Sequence, residues 1–202
     1  MKEVVAPMIK APQGHLRGRA AWMISQFVKT VMKDVAFFQA ITSEMMTLLG
    51  DPDLPVRFQA AVALRGLIYN PEESAPREGI EELIGSVFPQ LLQEMFNLMD
   101  QIGSDELIAT VEVLIECFAE QAAPHAENLC GRLAQHFLRL ASADDGQDDE
   151  ASFAACQCCR AITTLLEAVK KTPELYAKLE PSLIPLLLAV FSPDAAGDYP
   201  FM

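Results

Sequence analysis

The chain has 202 residues, 51% of them apolar and 21% charged, which gives it enough apolar surface for a substantial core and argues against disorder. A net charge of −13 argues against a nucleic-acid surface, which needs clustered Lys and Arg, and favours basic partners or simple solubility. Five cysteines are an odd number, and the start MKEVVAPMIK has no uninterrupted apolar core, so a reducing compartment with free thiols is expected.

Strand alternation is almost absent, and the apolar residues fall at helical spacing. Residues 1–11 suggest the tail of a helix pair. A helix then carries Leu16, Ala20, Met23, Ile24, Phe27 and Val28 on one face. A second helix is expected over 34–49 (DVAFFQAITSEMMTLL), ended by GDPDLP at 50–55. In that turn Gly50 can terminate one helix, Asp53 can cap the next, and Pro55 suits a first helical turn. The stripe then returns at Val56, Ala60, Ala63, Leu64, Leu67 and Ile68, followed by the breaker NPEESAP at 70–76.

A helix over 79–100 leads through IGSD at 102–105 to a third stripe at Leu107, Val111, Leu114, Ile115, Phe118 and Ala119. AAP at 122–124 opens a helix over 124–141. After the acidic stretch 143–150 comes the fourth stripe, Ala154, Cys158, Ala161, Ile162, Leu165 and Leu166. KKTP at 170–173 precedes a last helix over about 173–191, and SPDAAGDYPFM resembles a turn cut short. Within it LIPLLLAVF, 183–191, is far below the roughly 20 residues of a membrane helix and holds Pro185, so no membrane insertion is expected.

Each stripe is the same i, i+4, i+7, i+8, i+11, i+12 pattern, with starts separated by 40, 51 and 47 residues. That period is in the range of HEAT and armadillo repeats. A lone helix pair cannot cover its stripe, so pairs stack in one dimension. The expected fold is all-α: an α-solenoid of about four helix pairs, over 1–32, 33–70, 78–121 and 124–170, with a partial pair over 173–202. An irregular helical bundle is the alternative.

Two features invite a functional reading. Cys156, Cys158 and Cys159 adjoin the acidic stretch, but Cys158 stands where the other stripes hold Ala20, Ala60 and Val111. Cys156 lies about 200° around the helix from it, so the three thiols cannot converge on one ion. Packing explains Cys158 and Cys159, and Cys117 and Cys130 are read the same way; no metal and no cofactor is expected. Asp144, Asp145, Asp148, Asp149 and Glu150 form an overlong turn. Placing Gly146 sixth in a calcium loop puts Ala141 first and Ser152 last, which fails the EF-hand pattern. The turn is a solvated loop whose last carboxylates favour the following helix, or an acidic clamp for a basic partner.

Glu112, Glu116 and Glu120 form an i, i+4, i+8 ladder opposite the third stripe, serving solvation or facing a basic cargo. Arg17 and Arg57 recur at helix starts, where pairing with neighbouring turns is expected. His15, His125 and His136 lie near no nucleophile motif, and no Gly-rich phosphate loop exists, so no enzyme is expected.

GHLRGRAAWMISQFV, and PVRFQAAVALRGLI after GDPDLP, resemble consecutive repeats of the importin-beta (karyopherin) superfamily of nuclear transport receptors, in the branch of importins seven and eight. The resemblance is strongest over 12–70 and continues more weakly to about 190. It implies a right-handed superhelix of about twenty HEAT repeats of which this chain is an internal piece. It also implies cargo binding, probing of pore proteins rich in Phe-Gly, control by the GTPase Ran, and shuttling between cytoplasm and nucleus. Grooves between first helices around Phe37, Phe38, Phe88 and Phe96 are candidate Phe docking places, with core packing the alternative. A HEAT scaffold of another class, such as a phosphatase subunit, cullin regulator or coat adaptor, is the competing reading.

Overall fold

A computed structural model describes residues 1–31, 33–70, 75–76, 79–141 and 149–191, the side chains at 70, 75–76, 141 and 149–152 excepted. The chain divides into two compact units, Met1–Asp100 and Gln101–Met202. Both are stacks of helix pairs.

In the first unit α1 (Val5–Met8) leads to α2 (Gly14–Gln26), the one-turn α3 (Val28–Val31), α4 (Val35–Leu48) and α5 (Leu54–Ile68). A two-residue antiparallel pair, β1 (Tyr69–Asn70) with β2 (Ala75–Pro76), follows, then α6 (Ile80–Gly85) and α7 (Phe88–Met99). α4 folds back on α5, and α5 lies against α2. Asp34 caps α4 by accepting the Phe37 N–H at 2.9 Å, and Gly79 opens α6 at φ 77°, a left-handed backbone natural only to glycine. The helix expected over 79–100 is broken at Ser86 and Val87, because Pro89 has no N–H for the Gly85 carbonyl.

In the second unit α8 (Asp105–Cys117) is followed by the one-turn α9 (Ala119–Ala122), a 3-10 turn, α10 (Ala126–Ala141), α11 (Asp149–Val169) and α12 (Pro173–Val190). α11 packs against α8 and α10, and α10 also packs against α12. α12 runs unbroken through Pro181 and Pro185, both exposed, and leaves Leu188 and Phe191 69% and 77% exposed. No described helix is long and apolar enough to cross a membrane.

The four stripes form the core. All six residues of the second are buried, as are Leu107, Val111, Leu114, Ile115 and Phe118 of the third and Ala154, Cys158, Ala161, Ile162 and Leu165 of the fourth. The first departs at Phe27, which is 50% exposed. Its backbone (φ −120°, ψ 33°) ends α2, and at the matching stripe position Phe118 (φ −126°, ψ 46°) ends α8. A one-turn helix follows each break, so the repeat extends to a backbone irregularity that apolar spacing does not reveal. The environments differ: Phe118 is 1% exposed. Phe118→Ala should therefore cost about 3–5 kcal/mol in urea unfolding of the chain, whereas Phe27→Ala should stay within about 1 kcal/mol. Equal losses at the two positions would contradict this assignment of the core.

Candidate functional site

The most organised polar cluster ties the turn before α2 to the turn before α5. Arg17, in the first turns of α2, lies under the GDPDLP turn. Its Nε and Nη2 donate to the two Asp51 carboxylate oxygens at 2.7 and 2.8 Å, and Nη2 also donates to Asp53 Oδ2 at 3.0 Å. Nη1 donates to the carbonyls of Ala11 and Pro12 at 2.9 and 3.0 Å. These bonds engage all the donors a guanidinium has. Asp51 also accepts the Asp53 N–H at 2.9 Å, which holds the turn in shape. The bond to Arg17 keeps the Asp51 carboxyl below the ordinary carboxylate range, and the same bond raises the Arg17 pKa.

Asp53 stands at the N-cap of α5 but makes no side-chain capping bond, because Arg17 takes its carboxylate. Pro55 occupies the first turn as expected, while Gly50 lies past α4 without a left-handed backbone. Gly14 leaves room for this arrangement: a Cβ there would fall on the Asp53 carboxylate and push it from its place beside Arg17.

The acidic candidates do not form one surface. Glu112 is turned into the α8/α11 seam, its side chain 14% exposed, with Arg160 Nη2 at 3.4 Å and Thr164 Oγ1 donating at 3.5 Å. Glu116 is exposed on the last turn of α8. Glu120 is exposed too, but on α9, beyond the break at Phe118. The expected three-step ladder is thus one seam residue and two exposed carboxylates on different helices. Asp144, Asp145 and Asp148 lie outside the described residues. Asp149 and Glu150 begin α11, and their side chains lie outside the description.

Cys158 and Cys130 are buried, and burial raises their thiol pKa to about 12 and about 11; Cys159 is raised to about 11 for the same first cause. Such thiols stay protonated and act as small apolar groups at neutral pH. Among the described residues no group of His, Cys, Asp and Glu could hold a metal ion. His136 is buried, with Arg139 Nη2 2.6 Å from Nδ1. Phe38, Phe88 and Phe96 belong to the core, whereas Phe37 is half-buried, with the Lys2 ammonium 5.3 Å from its ring centre. Around Phe37 a groove of about 590 Å³ lies between α1 and α4, with Ile41, Lys10 and Glu44 on its walls.

No family model and no solved structure matches the chain. Known proteins do. The chain is 35% identical over 94% of its length to the importin beta-like SAD2 homolog of Arabidopsis thaliana. It is 32% identical, again over 94%, to the probable importin-7 homolog of Dictyostelium discoideum. Mouse importin-8 is 23% identical over 87%. Over nearly its whole length the chain is therefore homologous to a segment of proteins named as importins. It spans 18% and 17% of the lengths of the first two relatives.

The two sequence motifs that resemble importin repeats lie on the two sides of the Arg17 cluster. GHLRGRAAW supplies the arginine and DPDLPVR its acceptors, so the motif encodes a fastening between successive repeats. Asp51→Asn should destabilise the chain by about 1.5–3 kcal/mol at pH 7, the range for a hydrogen bond to a charged group. Because the folded Asp51 pKa is depressed, its stabilisation is fully present above the unfolded value near 3.8 and is lost as pH falls through the folded one. The gap in urea midpoint between wild type and Asp51→Asn should therefore close as pH drops below about 3.8. A gap that stays constant down to pH 2 would remove the pair from the account.

Proposed function

We propose that the chain is a cargo-carrying segment of a nuclear transport receptor, working by binding rather than by chemistry. The observation that carries this reading is the 35% identity over 94% of the chain to an importin beta-like protein. Such a receptor shuttles between cytoplasm and nucleus. Its cargo is basic: the chain carries a net charge of −13, and Glu116 and Glu120 present exposed carboxylates. The acidic stretch Asp144, Asp145, Asp148, Asp149 and Glu150 serves as a second contact for the same cargo. Pore segments rich in Phe-Gly use the α1/α4 groove, where half-buried Phe37 offers an apolar seat above the buried Ile41. Ran in its GTP form displaces cargo from the full-length receptor.

Electrostatic attraction between exposed groups weakens as salt shortens the Debye length to about 8 Å at 0.15 M and about 3 Å at 1 M. Immobilised chain should capture basic peptides at low salt and release them as salt rises. Glu116→Lys with Glu120→Lys should weaken capture about threefold to tenfold, the sum of two exposed charge contacts. Salt-independent capture, or a double variant that binds basic peptides as well as the wild type does, would sink the proposal.

A further inference from the structure

In the second unit α12 is apolar on two faces, and only one of them is covered. One face holds the buried Leu179 and Leu186, and α12 packs on α10. The other holds Tyr176, Ile184, Leu187, Leu188 and Phe191, which are 37%, 45%, 49%, 69% and 77% exposed. At helical spacing these five fall within about 120° of one another, with Leu179 and Leu186 outside that sector. The Tyr176 hydroxyl donates to the Leu166 carbonyl at 3.2 Å, which pins the N-terminal end of the strip. A surface helix normally keeps one apolar stripe, and a helix that is apolar over most of its circumference is a buried one. Among the described residues α10 packs extensively against both α11 and α12, whereas α12 packs extensively against α10 alone.

The exposed strip is also nearly free of charge. PSLIPLLLAVF, residues 181–191, holds no Asp, Glu, Lys or Arg in a chain of net charge −13. Glu180 is the one charged residue that helical spacing places inside the strip. A basic partner therefore meets no row of carboxylates here, and an acidic partner meets no cation. Five side chains of roughly 200 Å² each, about half exposed, present about 500 Å² of apolar surface, which is large for one patch on a monomer. Two such strips face to face bury about 1,000 Å², the size at which a specific interface begins.

We propose that the exposed face of α12 pairs two copies of this chain, with the two α12 helices antiparallel about a two-fold axis. A contact of this kind needs one self-complementary patch, and an uncharged apolar row is complementary to itself. With the axis near Ile184, the middle of the strip, each Glu180 lies about 12 Å along the helix from its counterpart, so no like charges meet. The contact itself is apolar, while the net charge of −13 on each copy repels the other. Salt screens that repulsion and so strengthens the pair. This response is opposite in sign to that of basic-peptide capture, and the pairing does not rest on the basic-cargo reading.

The test is light scattering on the 202-residue chain after size exclusion, over a range of concentrations at low and at high salt. The mass should approach twice the 22.2 kDa of one chain, and it should do so at lower concentration in high salt. Leu188→Glu and Phe191→Glu, both at exposed positions, should each raise the dimer dissociation constant at least about tenfold with helix content retained. Val4→Glu and Val35→Glu, at exposed apolar positions of the first unit, should leave the dimer intact. A chain that stays monomeric at both salts, a dimer indifferent to Leu188 and Phe191, or a monomer that uses Leu188 to pellet with phosphatidylcholine vesicles, would overturn the proposal.

Discussion

The first unit depends on one part-buried ion pair that acts as a fastener. α2 and α5 are parallel elements of successive repeats, and apolar stripes alone would let them slide by a turn, since each stripe is periodic. Arg17 removes that freedom. One guanidinium fixes the carbonyls at the end of the preceding turn and both aspartates of the next. A planar five-donor group is suited to this, and lysine is not, because an ammonium cannot bridge four acceptors in fixed directions. The position of the aspartates sets where α5 begins, and so where Val56 enters the core and where Pro55 and Gln59 stand beside Trp22.

The pair also explains residues that look like ordinary turn chemistry. Asp53 has the identity and place of a helix cap, yet its carboxylate serves Arg17. Gly14 is small because that carboxylate rests on its α-carbon, not because the backbone needs an unusual angle. Both positions are shaped by the neighbouring repeat more than by their own helix.

Much of this architecture was legible in the amino-acid order, for a physical reason: a helix that packs on neighbours at both sides must repeat its apolar spacing. The four stripes, the placement of Cys158 among alanine positions and the pairing role of Arg17 all follow from that rule. What spacing could not show were features set by tertiary contact. The breaks after Gln26 and Cys117 leave Phe27 and Phe118 in opposite environments, although they hold the same place in the pattern. Glu112 sits on the polar side of its helix by spacing, but α11 approaches there with Arg160 and Thr164 and draws it into a seam.

The central claim is that Arg17 and the GDPDLP aspartates act as a single unit. A double-mutant cycle on urea stability, with Arg17→Met, Asp51→Leu and the combined variant, measures this directly. The account predicts strong coupling: each single change leaves a buried charge without its partner, so the combined variant should be far more stable than the two losses added together. Additive losses would contradict it, and would mean that the two repeats are held in register by their apolar stripes alone.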